Sequence, residues 1–302
     1  MNTELLGNIM AAGCLLLAAA GMTCTKPIVR RTRAAADKVS RPVKIAQISD
    51  LHDSFYKKNQ VGLLSLLERE NPDLIVFTGD IVDDTERAKN AGQGSPILYE
   101  GHPARLLMEG CVKLAPCYMV FGNHERAIPD TERLSAEIEA IGVTLLRWQD
   151  AEVCGIRLCG ADDPYFLAEL RPDPYSISQR MQDDRTHESP TLTEWREKVA
   201  AFAPAKDGRF TVLLSHRPEE WKHYRDCGFD AALSGHAHGG QVRIPLLLNG
   251  LYAPHQGLFP SHAGGCYRYD GFVHVVSRGL SKKRAPRVFN RPEICVLTVE
   301  PS

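Results

Sequence analysis

The sequence predicts an α/β fold built on a sheet covered on both faces. Three observations predict it. Short, continuously apolar runs such as Leu74-Ile75-Val76-Phe77 and Phe210-Thr211-Val212-Leu213-Leu214 have the character of buried strands. Stretches with leucines at helical spacing lie between them. One run after another ends in Asp, His, Asn and Gly, the residues of ligand-binding loops at the carboxyl edge of an open sheet. At 302 residues and 43% hydrophobic content, the chain can bury one large domain or two small ones.

Residues 5–22 are almost wholly apolar and about long enough to span a bilayer. No basic segment precedes them, and the cluster around Arg30-Arg31 follows, so the positive-inside tendency puts what comes next on the cytoplasmic side. Residues 1–24 are therefore expected to be a single N-terminal hydrophobic helix anchoring the chain in the cell membrane; a cleaved signal segment and a buried helix are the other readings. Residues 25–42 carry Lys26, Arg30, Arg31, Arg33, Lys38 and Arg41 against Asp37, and read as a basic linker. Residues 43–302 are the expected domain.

Within it, Val43-Lys44-Ile45-Ala46-Gln47-Ile48 alternates as a strand and runs into Asp50-Leu51-His52-Asp53. Residues 61–69 have helical spacing, and Asn71-Pro72 stops them. The next strand ends in Gly79-Asp80-Ile81-Val82-Asp83. A helix is expected over 97–109, then a strand at 117–121 ending in Gly122-Asn123-His124-Glu125, a helix to about residue 141, and strands at 143–148 and 153–160. Residues 171–190, with Pro172, Pro174 and Pro190, interrupt the pattern as a surface insertion or a lid. Helix returns at 192–202. The strand at 210–214 ends in Ser215-His216, and Ala231-Ala232-Leu233 in Ser234-Gly235-His236-Ala237-His238-Gly239-Gly240. Strands at 267–269, 272–277 and 294–300 close the chain.

The first forty-two residues balance at +4, which leaves −5 for the rest, since the whole chain carries −1. A mildly acidic body argues against a nucleic-acid backbone as partner. The nine cysteines contain no CxxC pair and read as small core residues in a reducing setting.

Five of the eleven histidines stand at strand ends beside Asp, Asn or Gly. Asp50 and His52, two apart, can share one ion, as can an imidazole of the His236/His238 pair. Asp80 can bridge two cations through its two oxygens. Asn123 offers an amide oxygen and His216 a further nitrogen. This mixed N/O shell without thiolate suits two divalent ions such as Mn, Fe or Zn, and such a pair readies water for in-line attack at phosphorus. His124 is placed to protonate a leaving alkoxide, with Glu125 or another carboxylate orienting it. Asp83 and Asp84 read equally as a solvated turn or as groups that orient ligands from behind. Arg126 and Arg278 are candidates for holding substrate phosphate oxygens.

The ordered set Asp50-x-His52, Gly79-Asp80-x-x-Asp83, Gly122-Asn123-His124-Glu125, Ser215-His216 and Gly235-His236-Ala237-His238 resembles the calcineurin-like metallophosphoesterase superfamily over residues 43–300. Gln47-Ile48-Ser49-Asp50-Leu51-His52, Gly239-Gly240-Gln241 and Ser277-Arg278-Gly279-Leu280 are similar to its membrane-associated YkuE/YaeI-type branch. Ser281-Lys282-Lys283 departs from the glycine usual there after Gly279-Leu280, and residues 171–190 are longer than the branch norm. The resemblance implies a four-layer αββα sandwich. It implies one ion on Asp50, His52, Asp80 and His238, a second on Asp80, Asn123, His216 and His236, and His124 as general acid. The expected function is phosphodiester or phosphomonoester hydrolysis by a monomer, on a small or lipid-linked substrate. A nucleotide or nucleic-acid phosphodiesterase and a catalytically silent scaffold of the same fold are the alternatives.

Overall fold

The computed structural model describes residues 26–83, 95–167, 190–282 and 287–302. Five strands of its first half, β1 (Ile28–Ala36), β2 (Val43–Ile48), β3 (Leu74–Thr78), β4 (Cys117–Val120) and β5 (Val143–Leu145), join the last strand in one sheet. Among the described residues, this half has the α-helices α1 (Val61–Glu70), α2 (Pro103–Cys111), α3 (Asn123–Arg126) and α4 (Thr131–Ile141). The second half supplies β6 (Asp150–Val153), β7 (Ile156–Ala161), β8 (Phe210–Ser215) and β9 (Ala231–Ser234). It continues with the two-residue strands β10 (Tyr252–Ala253) and β11 (Gly257–Leu258), and with β12 (Gly265–Tyr269), β13 (Phe272–Val276) and β14 (Glu293–Pro301). Helices α5 (Pro190–Ala200) and α6 (Trp221–Cys227) complete it.

Two six-stranded sheets result, ordered β1-β14-β2-β3-β4-β5 and β12-β13-β9-β8-β7-β6. Strand periodicity assigns the layers, because alternate side chains leave a strand on opposite faces. Val43, Ile45, Leu74 and Val76 meet Val212, Leu214 and Leu233 of the other sheet in the central core. Their neighbours Ala46, Ile48, Ile75 and Phe77 face Leu63 and Leu67 of α1, Leu107 of α2 and Ile138 of α4. On the far side Leu213 and Ala232 pack under Trp195 of α5 and Tyr224 of α6. The order is helix, sheet, sheet, helix, the expected αββα sandwich. The sheets are fastened near the site by Gln47, whose buried amide donates to Thr78 Oγ1 and to Ser234 O, each at 2.9 Å.

Three groups of expectations change. Residues 28–36 are not a linker: they form β1, parallel to β14, with Arg30 on Glu293 at 2.9 Å and Arg31 bonded to Glu70. The helix expected at 97–109 runs from Pro103 to Cys111, because the His102 side chain caps its start by accepting from Ala104 N. The membrane anchor is corrected, together with the membrane partner, the cell-membrane location and the N-terminal hydrophobic helix: among the described residues no helix is long and apolar enough to cross a membrane. Length and apolarity satisfied a span criterion in the sequence, but the 5–22 segment itself lies outside the described residues, as do Asp84 and residues 171–189 of the expected insertion.

Candidate metal centre

Every loop of the site leaves the carboxyl end of a parallel strand. β2 delivers Asp50 and His52, β3 Asp80, β4 Asn123 and His124, β8 His216, and β9 His236 and His238. The loops are laced together: Asp50 N donates to Gly79 O and His52 N to Asp80 O, both at 3.0 Å. Glu125 gathers four backbone donors, from Asp80, Ile81, Val82 and Gly122, at 2.7 to 3.0 Å, and so shapes both the β3 and β4 turns. Gly235 is required by close approach. A Cβ there would stand 1.9 Å from Ser49 Oγ and 2.6 Å from Asp50 Oδ2.

Asp50, His52, Asp80 and His238 bring ligand atoms within 4.8 Å of one another, and so do Asp80, His216 and His236. Asp80 belongs to both groups, the position of a bridging carboxylate. All of these residues are buried, and buried polar atoms need partners. His52 Nε2, Asn123 Oδ1, His216 Nε2 and His236 Nε2 have no hydrogen-bond partner in the protein. His216 is the sharpest case. Its Nδ1 donates to Thr78 O at 2.7 Å, which turns the Nε2 lone pair onto Asp80 Oδ2 at 3.1 Å. Two acceptors facing at that distance require a proton or a cation between them.

The electrostatics agree. Burial pushes His216 down, but Asp80 outweighs it and lifts the imidazole to about 10. Burial raises the Asp80 carboxyl, yet His216, His124 and His52 together hold it well below its ordinary value. Burial raises Asp50, and depresses His52 and His236. Asp80 kept ionised and His52 and His236 kept neutral are in the forms a divalent ion binds, while the raised His216 and Asp50 are the groups that give up a proton when an ion takes its place. The N/O donor set with no thiolate fits two such ions.

The calcineurin-like phosphoesterase family matches residues 43–240. The chain belongs to that family. It is a metal-dependent phosphoesterase with a dinuclear site. Over 261 residues it is 28% identical to the uncharacterized metallophosphoesterase YkuE of Bacillus subtilis, covering 85% of this chain and 79% of the relative. It is 27% identical to UDP-2,3-diacylglucosamine pyrophosphatase LpxG of Chlamydia trachomatis (84% and 83% covered), and 24% identical to the phosphodiesterase YaeI of Escherichia coli (89% and 87%). The likeness to YkuE and YaeI supports the superfamily. The membrane-associated branch is withdrawn with the anchor that suggested it.

Among the other residues of this phosphoesterase singled out in the sequence, Asp83 lies inside the site. One of its oxygens is 2.5 Å from His124 Nδ1 and the other 3.2 Å from His52 Nδ1, so one carboxylate orients two imidazoles. Both rings then turn Nε2 toward Asp80 Oδ2, at 3.9 and 3.6 Å. Glu125 does not touch His124 in this way; it serves the backbone, and burial lifts its carboxyl to about 7. Arg126 donates to Tyr165 O at 3.3 Å. Arg278 is mostly buried beside Glu293, and its Nε has no hydrogen-bond partner. Three participants carried no signal of their own in the sequence. Arg217 pairs with buried Asp163 directly behind His216, His255 stacks on His236 at 5.3 Å, and Asp53 accepts from Asp83 N. Arg217 and Asp53 each directly follow a site histidine in the chain, His216 and His52, and that adjacency was the signal for them; His255 had none.

Proposed function

We propose that the chain hydrolyses a phosphate ester of a lipid-linked substrate, a diester or monoester, with His124 donating the proton to the leaving oxygen. Asp50, His52, Asp80 and His238 hold one ion in this reading, and Asp80, Asn123, His216 and His236 the other. Two divalent ions in such a set supply an activated hydroxide and neutralise the phosphoryl oxygens. The chain's own residues do the rest. Asp83 orients His124: the Nδ1–H donates a hydrogen bond to Asp83, which stabilises the imidazolium, and it is the Nε2 proton, facing the ligand cluster, that goes to the leaving oxygen. The low polarity of the surrounding core keeps each polar contact strong. The Asp83–His124 pair facing the shared Asp80 is the observation that carries the assignment, since a silent scaffold has no need of an oriented imidazole there. The lipid-linked class is supported by the LpxG relative, whose name couples a pyrophosphate bond to a diacylated sugar.

The test begins with protein stripped by chelator. Mn²⁺ is expected to restore hydrolysis of bis(p-nitrophenyl) phosphate and to raise the melting temperature, with about 2.7 kcal/mol of stabilisation at a hundredfold excess over Kd. Asp80→Asn is expected to lose both responses. A variant that keeps the wild-type rate would overturn the shared-ligand assignment.

A further inference from the structure

Residues 241–260 reverse the usual order of a globular surface. The segment packs its small side chain Ala253 inward, against Ala237, Val276 and Tyr267. Its large ones face out: Ile244, Leu246, Leu247, Leu251, Leu258 and Phe259 are all exposed, Leu246 at 106% and Leu247 at 85%. Scattered apolar side chains are normal on a surface, but six within sixteen residues on one hairpin form a patch that needs an occupant.

The hairpin is an extension of the metal centre. It leaves the chain immediately after His238-Gly239-Gly240 and is tied back to it, with Leu251 N on Gly240 O and Phe259 N on Leu251 O, both at 2.9 Å. Gly240 and Gly250 pack backbone to backbone, so closely that a Cβ on Gly240 would lie 2.4 Å from Gly250 Cα. At the hairpin's turn His255 stacks on the ligand His236, and Tyr165 meets the other side of that ring at 6.2 Å. Two cations stand beside the root of this segment, which follows the ligand residue His238 in the chain. Arg243 Nη1 donates to Gly239 O at 3.2 Å, and Arg278 lies across Gly264 from it, both close to where a Cβ on that glycine would stand. The order along the chain is ligand cluster, guanidinium and hydrocarbon, with the second guanidinium, of Arg278, packed beside the first across Gly264. That is the order of an amphiphile with a phosphate head.

From this geometry we propose that the 244–259 hairpin is the subsite for the hydrocarbon chain of the substrate, seated while its phosphate lies at the ligand cluster and its anionic head passes Arg243 and Arg278. The inference rests on the lipid-linked reading above. Its occupant is the chain of the substrate itself, since the patch and the metal ligands belong to one continuous stretch.

The test compares two diesters with one leaving group, p-nitrophenyl hexadecyl phosphate and p-nitrophenyl ethyl phosphate, each below its micellar concentration in Mn²⁺. Wild type is expected to favour the long-chain ester in kcat/KM. The doubly exposed variant Leu246→Ser/Leu247→Ser is expected to lower that preference about tenfold, as two leucines withdrawn from hydrocarbon contact imply, with ethyl-ester turnover unchanged. Turnover of both esters with no chain preference overturns the hairpin subsite and leaves phosphoesterase chemistry standing. No turnover of either ester overturns the functional reading and the subsite with it. A wild-type dimer that the same substitutions dissociate also overturns it, by showing that a second copy covers the patch.

Discussion

At the scale of single residues, Asp50, His52, Asp80, His236 and His238 all have φ between 44° and 67°. None is glycine, and each such conformation costs on the order of 1–3 kcal/mol. Five strained residues on one ligand cluster are tolerable only because the surrounding loops overdetermine them, through Glu125, the Gln47 clamp and the ladder from Gly79 to His52. Asp83 does the same for His124. His124→Ala is therefore expected to slow hydrolysis of an alkyl diester by about 10²–10⁴-fold. It should slow a p-nitrophenyl ester far less, because nitrophenolate leaves without a proton. Asp83→Asn should show the same dependence on leaving group in weaker form. Equal losses on both kinds of ester would show that His124 serves something other than the leaving group.

At the scale of elements, β1 was hidden in the sequence and the strand-end motifs were not. In Ile28–Ala36 only Thr32 and Ala34 are fully buried, while Arg31, Arg33 and Ala35 face solvent. That is how an edge strand is kept from pairing with other chains. Charge outweighed alternation in such a segment, so it read as a linker. Its pairing with β14 also joins residues more than 260 positions apart, which no local pattern encodes. The ligand residues were legible because each sits within a few residues of its own strand. The partners of Arg217, Asp83 and His255 were not, since those contacts form only when separate strand ends converge. A chain begun at Pro42, near the family match at residue 43, loses β1, bares one edge of β14 and deprives buried Glu293 of Arg30. At about 0.5–1.5 kcal/mol for each ladder hydrogen bond, it should unfold at a markedly lower denaturant concentration than the full chain. An unchanged midpoint would return residues 28–36 to the status of a linker.

At the scale of the whole molecule, the dependence of stability on pH reports on a buried aromatic cluster joined to the site's strand end, where His274 Nε2 meets Ser234 Oγ at 3.0 Å. His262 is buried where Trp221, Tyr267 and His274 stack around it, with Nδ1 toward Ser261 Oγ and Nε2 toward Tyr269 OH, both at 2.9 Å. Burial lowers its imidazole to about 4 and pushes His274 well below its ordinary value, with His262 adding to the effect. A histidine whose folded pKa is depressed favours the fold while neutral. Its contribution is intact above the unfolded value of about 6.5 and is lost as pH falls toward 4, because the unfolded chain takes up the proton first. Glu219 works in the opposite sense: burial lifts its carboxyl to about 7, so its contribution is intact below its unfolded value and is lost as pH rises toward neutrality. The two slopes oppose each other, and substitution separates them. His262→Gln should flatten the loss of stability on the acid side, by at most about 1.4 kcal/mol per pH unit for one group. Glu219→Gln should remove the opposing fall, so that stability rises more steeply with pH up to about 7. Urea midpoints of the chelator-treated protein from pH 4 to 7.5 measure both. An acid limb that keeps its slope in His262→Gln would show that the ring is already protonated in the fold, which four surrounding aromatic and imidazole faces would not support.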